Sequence, residues 1–368
     1  MRPIYLDYNA TTPIAPRVQE AMLPFLAEHY GNPLSEHALG RAAAQAIDDA
    51  RVRVARAIGA EPDEVYFTTG ATESCRLAFS LGRRIGADER KEQVCTTVDH
   101  WAVTNLVAPE HRLPVDARGV LVSDRLAESN ATDIGLAHVV HANNEIGAAQ
   151  PVAEAAQSCR QRGALLHTDA TQSFGKVAIA VRELGVDLLS FASHKAYGPK
   201  GAGALFIRRG LETGPCYGGG AFLTPGTPDV AAIVGFGYAA ELAAASAEDA
   251  APRMEMLRDG LLDQLSQGVG DELIVWGEGA QRLPNTLAAA FPGVAGDELL
   301  AACPEVCATP LGSGDRDRVR LTQTLEALGQ EPEAARGTVR LSVGWYTTET
   351  EIDRAASLLL DAWERLRG

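Results

Sequence analysis

Residues 164–195 read ALLHTDATQSFGKVAIAVRELGVDLLSFASHK, and this stretch decides the fold. Two short apolar strands, Ala164–Thr168 and Val186–Ala192, each end in polar residues. Asp169-Ala170-Thr171-Gln172 follows the first and Ser193-His194-Lys195 the second. Asp169 and Lys195 lie 26 residues apart, about one strand–helix–strand step. The pattern repeats outward in both directions. Upstream, Pro151–Gly163 predicts a helix, with Pro151 suited to its first turn and Gly163 to its end. Strands are predicted at Ile134–His141, Gln93–Thr97 and Glu64–Thr68, and downstream at Gly203–Arg208. Arg41–Ile58 and Arg17–His29 carry apolar residues at helical spacing. Such alternation predicts an α/β chain with a mostly parallel sheet covered on both faces.

After about residue 250 the texture changes. Met254–Gln267 predicts an amphipathic helix, Arg282–Phe291 and Val339–Val343 predict strands, and Glu349–Arg367 a closing helix. The expected division is an N-terminal segment, 1–15, packing near the site, a large domain, 16–250, and a smaller α+β domain, 251–368.

The 368 residues are 46% hydrophobic and 22% charged, ordinary for a folded chain and too apolar for a disordered one. The formal charge of −15 argues against broad nucleic-acid binding, which needs a basic surface. No apolar run reaches the ~18–20 residues that span a bilayer, and no secretory signal opens the sequence. Six scattered cysteines form neither a disulfide framework nor a C-x-x-C metal site, so a reduced, cytoplasmic protein without a metal is expected.

In parallel sheets, ligands bind beyond the carboxyl ends of the strands. Polar clusters fall at such ends, at 69–74, 98–100, 143–145, 169–172 and 193–195. Taken alone, Asp169 reads as a helix cap and Lys195 as a surface charge. Together, an acid at one strand end and a lysine at a neighbouring one suit pyridoxal 5′-phosphate (PLP). The lysine condenses with the aldehyde, and the carboxylate keeps the pyridine nitrogen protonated. A nucleotide-binding reading is weak, because no G-x-G-x-x-G follows a strand and no P-loop is present.

Five stretches then resemble the cysteine desulfurases, which are fold-type I PLP enzymes of the class-V aminotransferase group. These are Leu6-Asp7-Tyr8-Asn9-Ala10-Thr11-Thr12-Pro13, Gly70-Ala71-Thr72-Glu73-Ser74, His141-Ala142-Asn143-Asn144-Glu145-Ile146-Gly147, Asp169-Ala170-Thr171-Gln172 and Ser193-His194-Lys195. The resemblance implies a seven-stranded sheet in the large domain and a role for each matching residue. Gly70, Ala71 and Thr72 would bind the cofactor phosphate at a helix start, with Ser193 and His194 adding contacts. His100 would stack on the pyridine face and move protons. Asn144 and Gln172 would hydrogen-bond the phenolic oxygen and substrate. Asn9, Ala10 and Thr11 would border the substrate, and Arg340 would grip its α-carboxylate in a bidentate fork. Thr227 would reach the phosphate of a neighbouring subunit, which makes a homodimer the expected assembly. The expected substrate is a small amino acid, L-cysteine or a β-substituted relative, with a sulfur-acceptor protein as partner on the desulfurase route.

The pattern breaks in three places. Desulfurases carry a nucleophilic cysteine in a Gly-Ser-Ala-Cys loop. Aligning Gly312-Ser313-Gly314 on that loop puts Asp315 in the cysteine's place, with Cys307 eight positions earlier. The 218–227 insert is about two residues shorter than in the family, with Thr224 replacing an arginine, and Ala192 stands where the family often has a serine. A carboxylate cannot accept sulfur as a thiolate does. The leading expectation is Cβ–S cleavage in the desulfurase manner; Cys307 could serve as the thiol only if the loop is refolded, and otherwise reads as a buried small hydrophobe. The alternatives are a C–S β-lyase or other PLP chemistry (epimerisation, β-replacement) that needs no cysteine, and a non-catalytic scaffold.

Overall fold

The computed structural model describes residues 3–85, 92–122, 126, 134–211, 226–314 and 318–367. Seven strands build the main sheet: β2 (Val65–Thr68), β3 (Glu92–Thr96), β4 (Arg112–Leu113), β5 (Ile134–His138), β6 (Leu165–Asp169), β7 (Leu188–Ala192) and β8 (Gly203–Ile207). Their order is β2-β8-β7-β6-β5-β3-β4, with β8 antiparallel to both neighbours and every other pair parallel. Strands β5, β7 and β8 are buried at every position, as two helical layers require. One core holds Ile47, Val54, Phe67, Leu166, Phe191 and Phe236.

Helix α1 spans Pro16–Ala27 and α2 spans Ala38–Ala57, where His37 caps the start by accepting from Gly40 N at 3.2 Å. Helix α3, Ala71–Ile85, follows β2 through Gly70, and α4 spans Val152–Gln161. Helix α5 is 40 residues long, Val230–Val269, and is started by Asp229, which accepts from Ala232 N at 2.9 Å. Only its second half was expected, from Met254. The first half is apolar on nearly every side and buried, so it lacks the amphipathic stripe by which a surface helix is recognised. This helix is long and apolar enough to cross a membrane, but 67% of its apolar window lies buried inside the fold.

The chain passes from one core to a second within α5, without a linker. The second core gathers Met254, Leu261, Leu287, Phe291, Leu341 and Leu359. It packs α5 and α6 (Glu349–Arg367) near a four-stranded antiparallel sheet. That sheet runs β12-β13-β10-β9, from β9 (Ile274–Val275), β10 (Thr286–Ala290), β12 (Thr309–Pro310) and β13 (Thr338–Ser342). The N-terminal strand β1, Ile4–Tyr5, pairs in parallel with β11, Val306–Cys307. Beyond it, Asp7 bridges to Ser342 and Thr12 N donates to His194 O at 3.0 Å. The first dozen residues thus tie the small sheet to the ends of the large-sheet strands.

Candidate active site

Beyond the carboxyl ends of β6 and β7 lies a cavity of about 610 Å³. It is walled by the segment 9–11, the start of α3, the 140–144 turn, the 169–172 turn, the 194–195 turn and Arg340. The fold therefore brings Asn9, Ala10, Thr11, Gly70, Ala71, Thr72, His100, Asn144, Asp169, Gln172, His194, Lys195 and Arg340 to one space.

Parallel pairing of β6 with β7 sets Asp169 opposite Ser190, one turn from Lys195. Asp169 is 5% exposed. Its Oδ1 accepts from Thr171 N at 2.9 Å, and Cys75 Sγ stands 3.6 Å from its Oδ2. Lys195 Nζ donates to Asn9 O at 2.5 Å and Ala10 O at 2.7 Å. Burial, helped by the Arg340 charge, pushes its amine down to about 8, although Asp7 and Asp169 pull the other way. His100 sits at the start of the short helix Trp101–Thr104, and its Nδ1 accepts from Ala102 N at 3.3 Å. In the neutral ring that leaves the hydrogen on Nε2. Burial lowers its pKa, Asp169 raises it and Lys195 lowers it.

The other end of the cavity is shaped for an anion. Gly70 has φ +152°, a value side chains rarely adopt, as the chain enters α3. A Cβ on Gly203 would lie 2.6 Å from Gly70 Cα, so the two glycines let the strand and the helix start touch. The first-turn N–H groups of α3 have no partner within the helix. Ser193 is not among the described residues lining the cavity, but it lies next to His194, which is; its Oγ is buried with no hydrogen-bond partner, and a Cβ on Gly198 would lie 2.0 Å from it. Thr171 Oγ1 is likewise buried and unpartnered. His194 Nδ1 meets Thr11 Oγ1 at 3.1 Å, and burial with the Lys195 and Lys200 charges holds its ring down to about 4.

These features fit PLP. Orphaned hydroxyls and free N–H groups suit its phosphate, a buried carboxylate suits its pyridine nitrogen, and an amine poised near neutrality suits its aldehyde. Opposite the anion end, Arg340 is already held. Its Nη2 donates to Asp7 Oδ1 at 2.7 Å and to Thr309 Oγ1 at 3.0 Å, and its Nη1 to Asn144 O at 3.0 Å. Its Nε is buried without a partner. Asn143 builds the turn beneath, its Oδ1 accepting from Glu145 N and Ile146 N at 2.9 Å, which leaves Asn144 to face the cavity.

The side chain of Asn9 is a framework group. Its Nδ2 donates to Thr286 Oγ1 at 2.8 Å and its Oδ1 accepts from Asn285 Nδ2 at 3.0 Å, so its backbone carbonyl is what meets Lys195. Cys307 is half-buried on β11 beside Tyr5 and is not among the described residues lining the cavity. Thr227 is exposed just ahead of α5 and is not among the described residues lining the cavity, while Asp315 and Thr224 lie outside the described residues. Sequence reasoning gave no role to Asp7, Thr171, Lys176, Lys200 or Trp101. A signal for the lysines existed in the composition. Only four of the 33 basic residues are lysines, at 91, 176, 195 and 200, and three of those four belong to this region.

The aminotransferase class-V family model matches residues 4–355. The chain is 37% identical to the cysteine desulfurase IscS of Dictyoglomus turgidum, over 100% of this chain and 96% of that protein. Among solved structures, a NifS-like protein superposes with a TM-score of 0.88 at 33% identity, covering 99% of both chains. SspA in complex with cysteine superposes with a TM-score of 0.77 at 28% identity, covering 94% of this chain and 99% of that one.

Proposed function

The chain belongs to the class-V aminotransferase family, a group of PLP-dependent enzymes, and on that premise we propose that it cleaves the Cβ–S bond of L-cysteine or a β-substituted relative. PLP, when bound, supplies the electron sink that lets bonds at the substrate's α- and β-carbons break. The chain's own residues supply the rest. Asp169, a buried carboxylate lining the cavity, would hold the pyridine nitrogen of the cofactor in its protonated form. Lys195 Nζ, poised at about 8, is the base that takes the proton from the substrate's α-carbon. His100, whose Nδ1 is taken up by Ala102 N, would use its Nε2 to pass a proton to or from the leaving sulfur. Arg340 binds the α-carboxylate through its unpartnered Nε and by exchanging contacts it now makes with Asp7 and Thr309.

One observation carries this reading. A lysine whose amine is lowered toward neutrality shares one cavity with a buried aspartate and a buried arginine fork. The complex of SspA with cysteine supports the choice of substrate. In the desulfurase route the Cys307 thiolate attacks the substrate sulfur and keeps it as a persulfide, and the three-carbon remainder leaves as alanine. A second reading rests on the place of Cys307 outside the described cavity lining. There the sulfur leaves as sulfide, and the remainder reacts with water to give pyruvate and ammonia. Product analysis with L-cysteine decides. Alanine with a protein persulfide that disappears in Cys307→Ala supports the first route, and pyruvate with sulfide undiminished in that variant supports the second. Absence of both product pairs from PLP-loaded protein overturns Cβ–S cleavage.

The assembly follows from the same reading. Leu23, Leu26, Tyr30 and Leu34 are each more than half exposed on and just after α1, an apolar run that suits a second copy of the chain. The exposed Thr227 is then the residue offered to the neighbouring site.

A further inference from the structure

Lys176 is 4% exposed and makes no ion pair among the described residues. Burial, and after it the charges of Lys195 and Arg340, both of its own sign, push its pKa well down. A methionine or leucine would fill such a place without burying an amine. The chain also uses arginine for nearly every other cation, 29 of the 33 basic residues. A lysine differs from a planar guanidinium in placing one compact donor atom at the end of a flexible stem.

Its contacts show where that donor points. The turn after Asp169 brings Lys176 back beneath the cavity, with Phe174 N donating to Ala170 O at 2.8 Å and Lys176 N to Ser173 O at 3.0 Å. Its Nζ donates to Gln172 Oε1 at 2.7 Å and to Asn9 Oδ1 at 2.8 Å. The amine is the donor in both bonds. Each amide must therefore turn its carbonyl end toward Lys176. Gln172 then points its NH₂ the other way, where Nε2 gives one hydrogen to Asn9 O at 2.9 Å. That same Asn9 carbonyl accepts from Lys195 Nζ. The second hydrogen of Gln172 Nε2 is the one left for the cavity it lines.

We propose that Lys176 is a positioning residue for the cofactor site, which locks the Gln172 amide so that it offers PLP a donor and never an acceptor. The phenolic oxygen of PLP is the acceptor that this donor meets, and a donor there favours the deprotonated oxygen. The inference rests on reading Gln172 as a cofactor-facing residue.

The test uses PLP-loaded protein and Lys176→Met, read by the pH midpoint of the bound cofactor's absorption band and by PLP loss on dialysis. The expected result is a midpoint raised by about half a unit or more, with PLP lost about three- to tenfold faster. If Lys176 acts through Gln172, adding Lys176→Met to Gln172→Ala moves the midpoint no further. Should the methionine variant not fold, Lys176→Gln carries the same readouts, because its polar end stops one bond short of Gln172. A midpoint and PLP loss equal to wild type in the variant that folds overturns the inference. So does a shift that adds fully to that of Gln172→Ala. Wild-type protein that takes up no PLP would instead overturn the cofactor reading itself, so the two failures are distinguishable.

Discussion

Lys195 is expected to react as a neutral amine near physiological pH, before any cofactor is present. Its pKa in the folded chain is about 8, against ~10.4 for an ordinary lysine. At pH 7.5 roughly a quarter of the folded population is then neutral, compared with roughly 0.1% in the unfolded chain, a ratio of about 200. The assay is pulse acylation of cofactor-free protein with a small anhydride between pH 6.5 and 10.5. Modification at Lys195 is quantified by mass spectrometry, with the urea-unfolded chain as reference. The folded curve should have its midpoint near 8. Because burial is the largest cause and the Arg340 charge the next, Asp7→Asn should move the midpoint further down by removing a charge that raises it. The sign for stability follows. The folded state binds fewer protons than the unfolded state between about 8 and ~10.4, so this residue makes the cofactor-free protein more stable as pH rises through that window. A folded midpoint that coincides with the unfolded one would refute the claim that the cavity poises this amine.

Ser193→Ala removes a buried hydroxyl that has no partner in the protein, so cofactor-free protein should be as stable as wild type or slightly more so. PLP affinity should fall about tenfold, and a clear loss of urea stability with unchanged affinity would show that the hydroxyl serves the fold instead. Arg340→Lys keeps the charge but loses the fork and its contacts to Asp7, Thr309 and Asn144. KM for L-cysteine should rise about tenfold or more with a smaller change in kcat, and steady-state kinetics check the split.

The large sheet was legible because its information is local. An apolar run of five residues followed by a polar cluster says both where a strand ends and where a ligand sits. For that reason Asp169, Lys195 and the Gly70–Thr72 turn were found from short stretches, and the cavity gathers them. The hold of Asp7 on Arg340 was not legible, since the two lie 333 positions apart and neither neighbourhood mentions the other. The first half of α5 hid for the opposite reason, because burial on all sides erases the periodicity on which a helix assignment depends. Lys176 lies within residues 164–195, yet the role proposed for it depends on Asn9, 167 positions away. Only the rarity of lysine marked it.

The strap formed by β1 and the residues after it has a consequence for biosynthesis. Ile4 pairs with Val306, and Asn9 N donates to Ser342 Oγ across 333 positions at 3.0 Å. The ribosome adds His100, Asp169 and Lys195 long before it reaches β11 and β13. The early segment that borders them must wait, unsatisfied, until the last part of the chain leaves the ribosome. Nascent chains stalled before residue 306 should therefore fold the central sheet but fail to trap the vitamin, so that competence arrives in one late step.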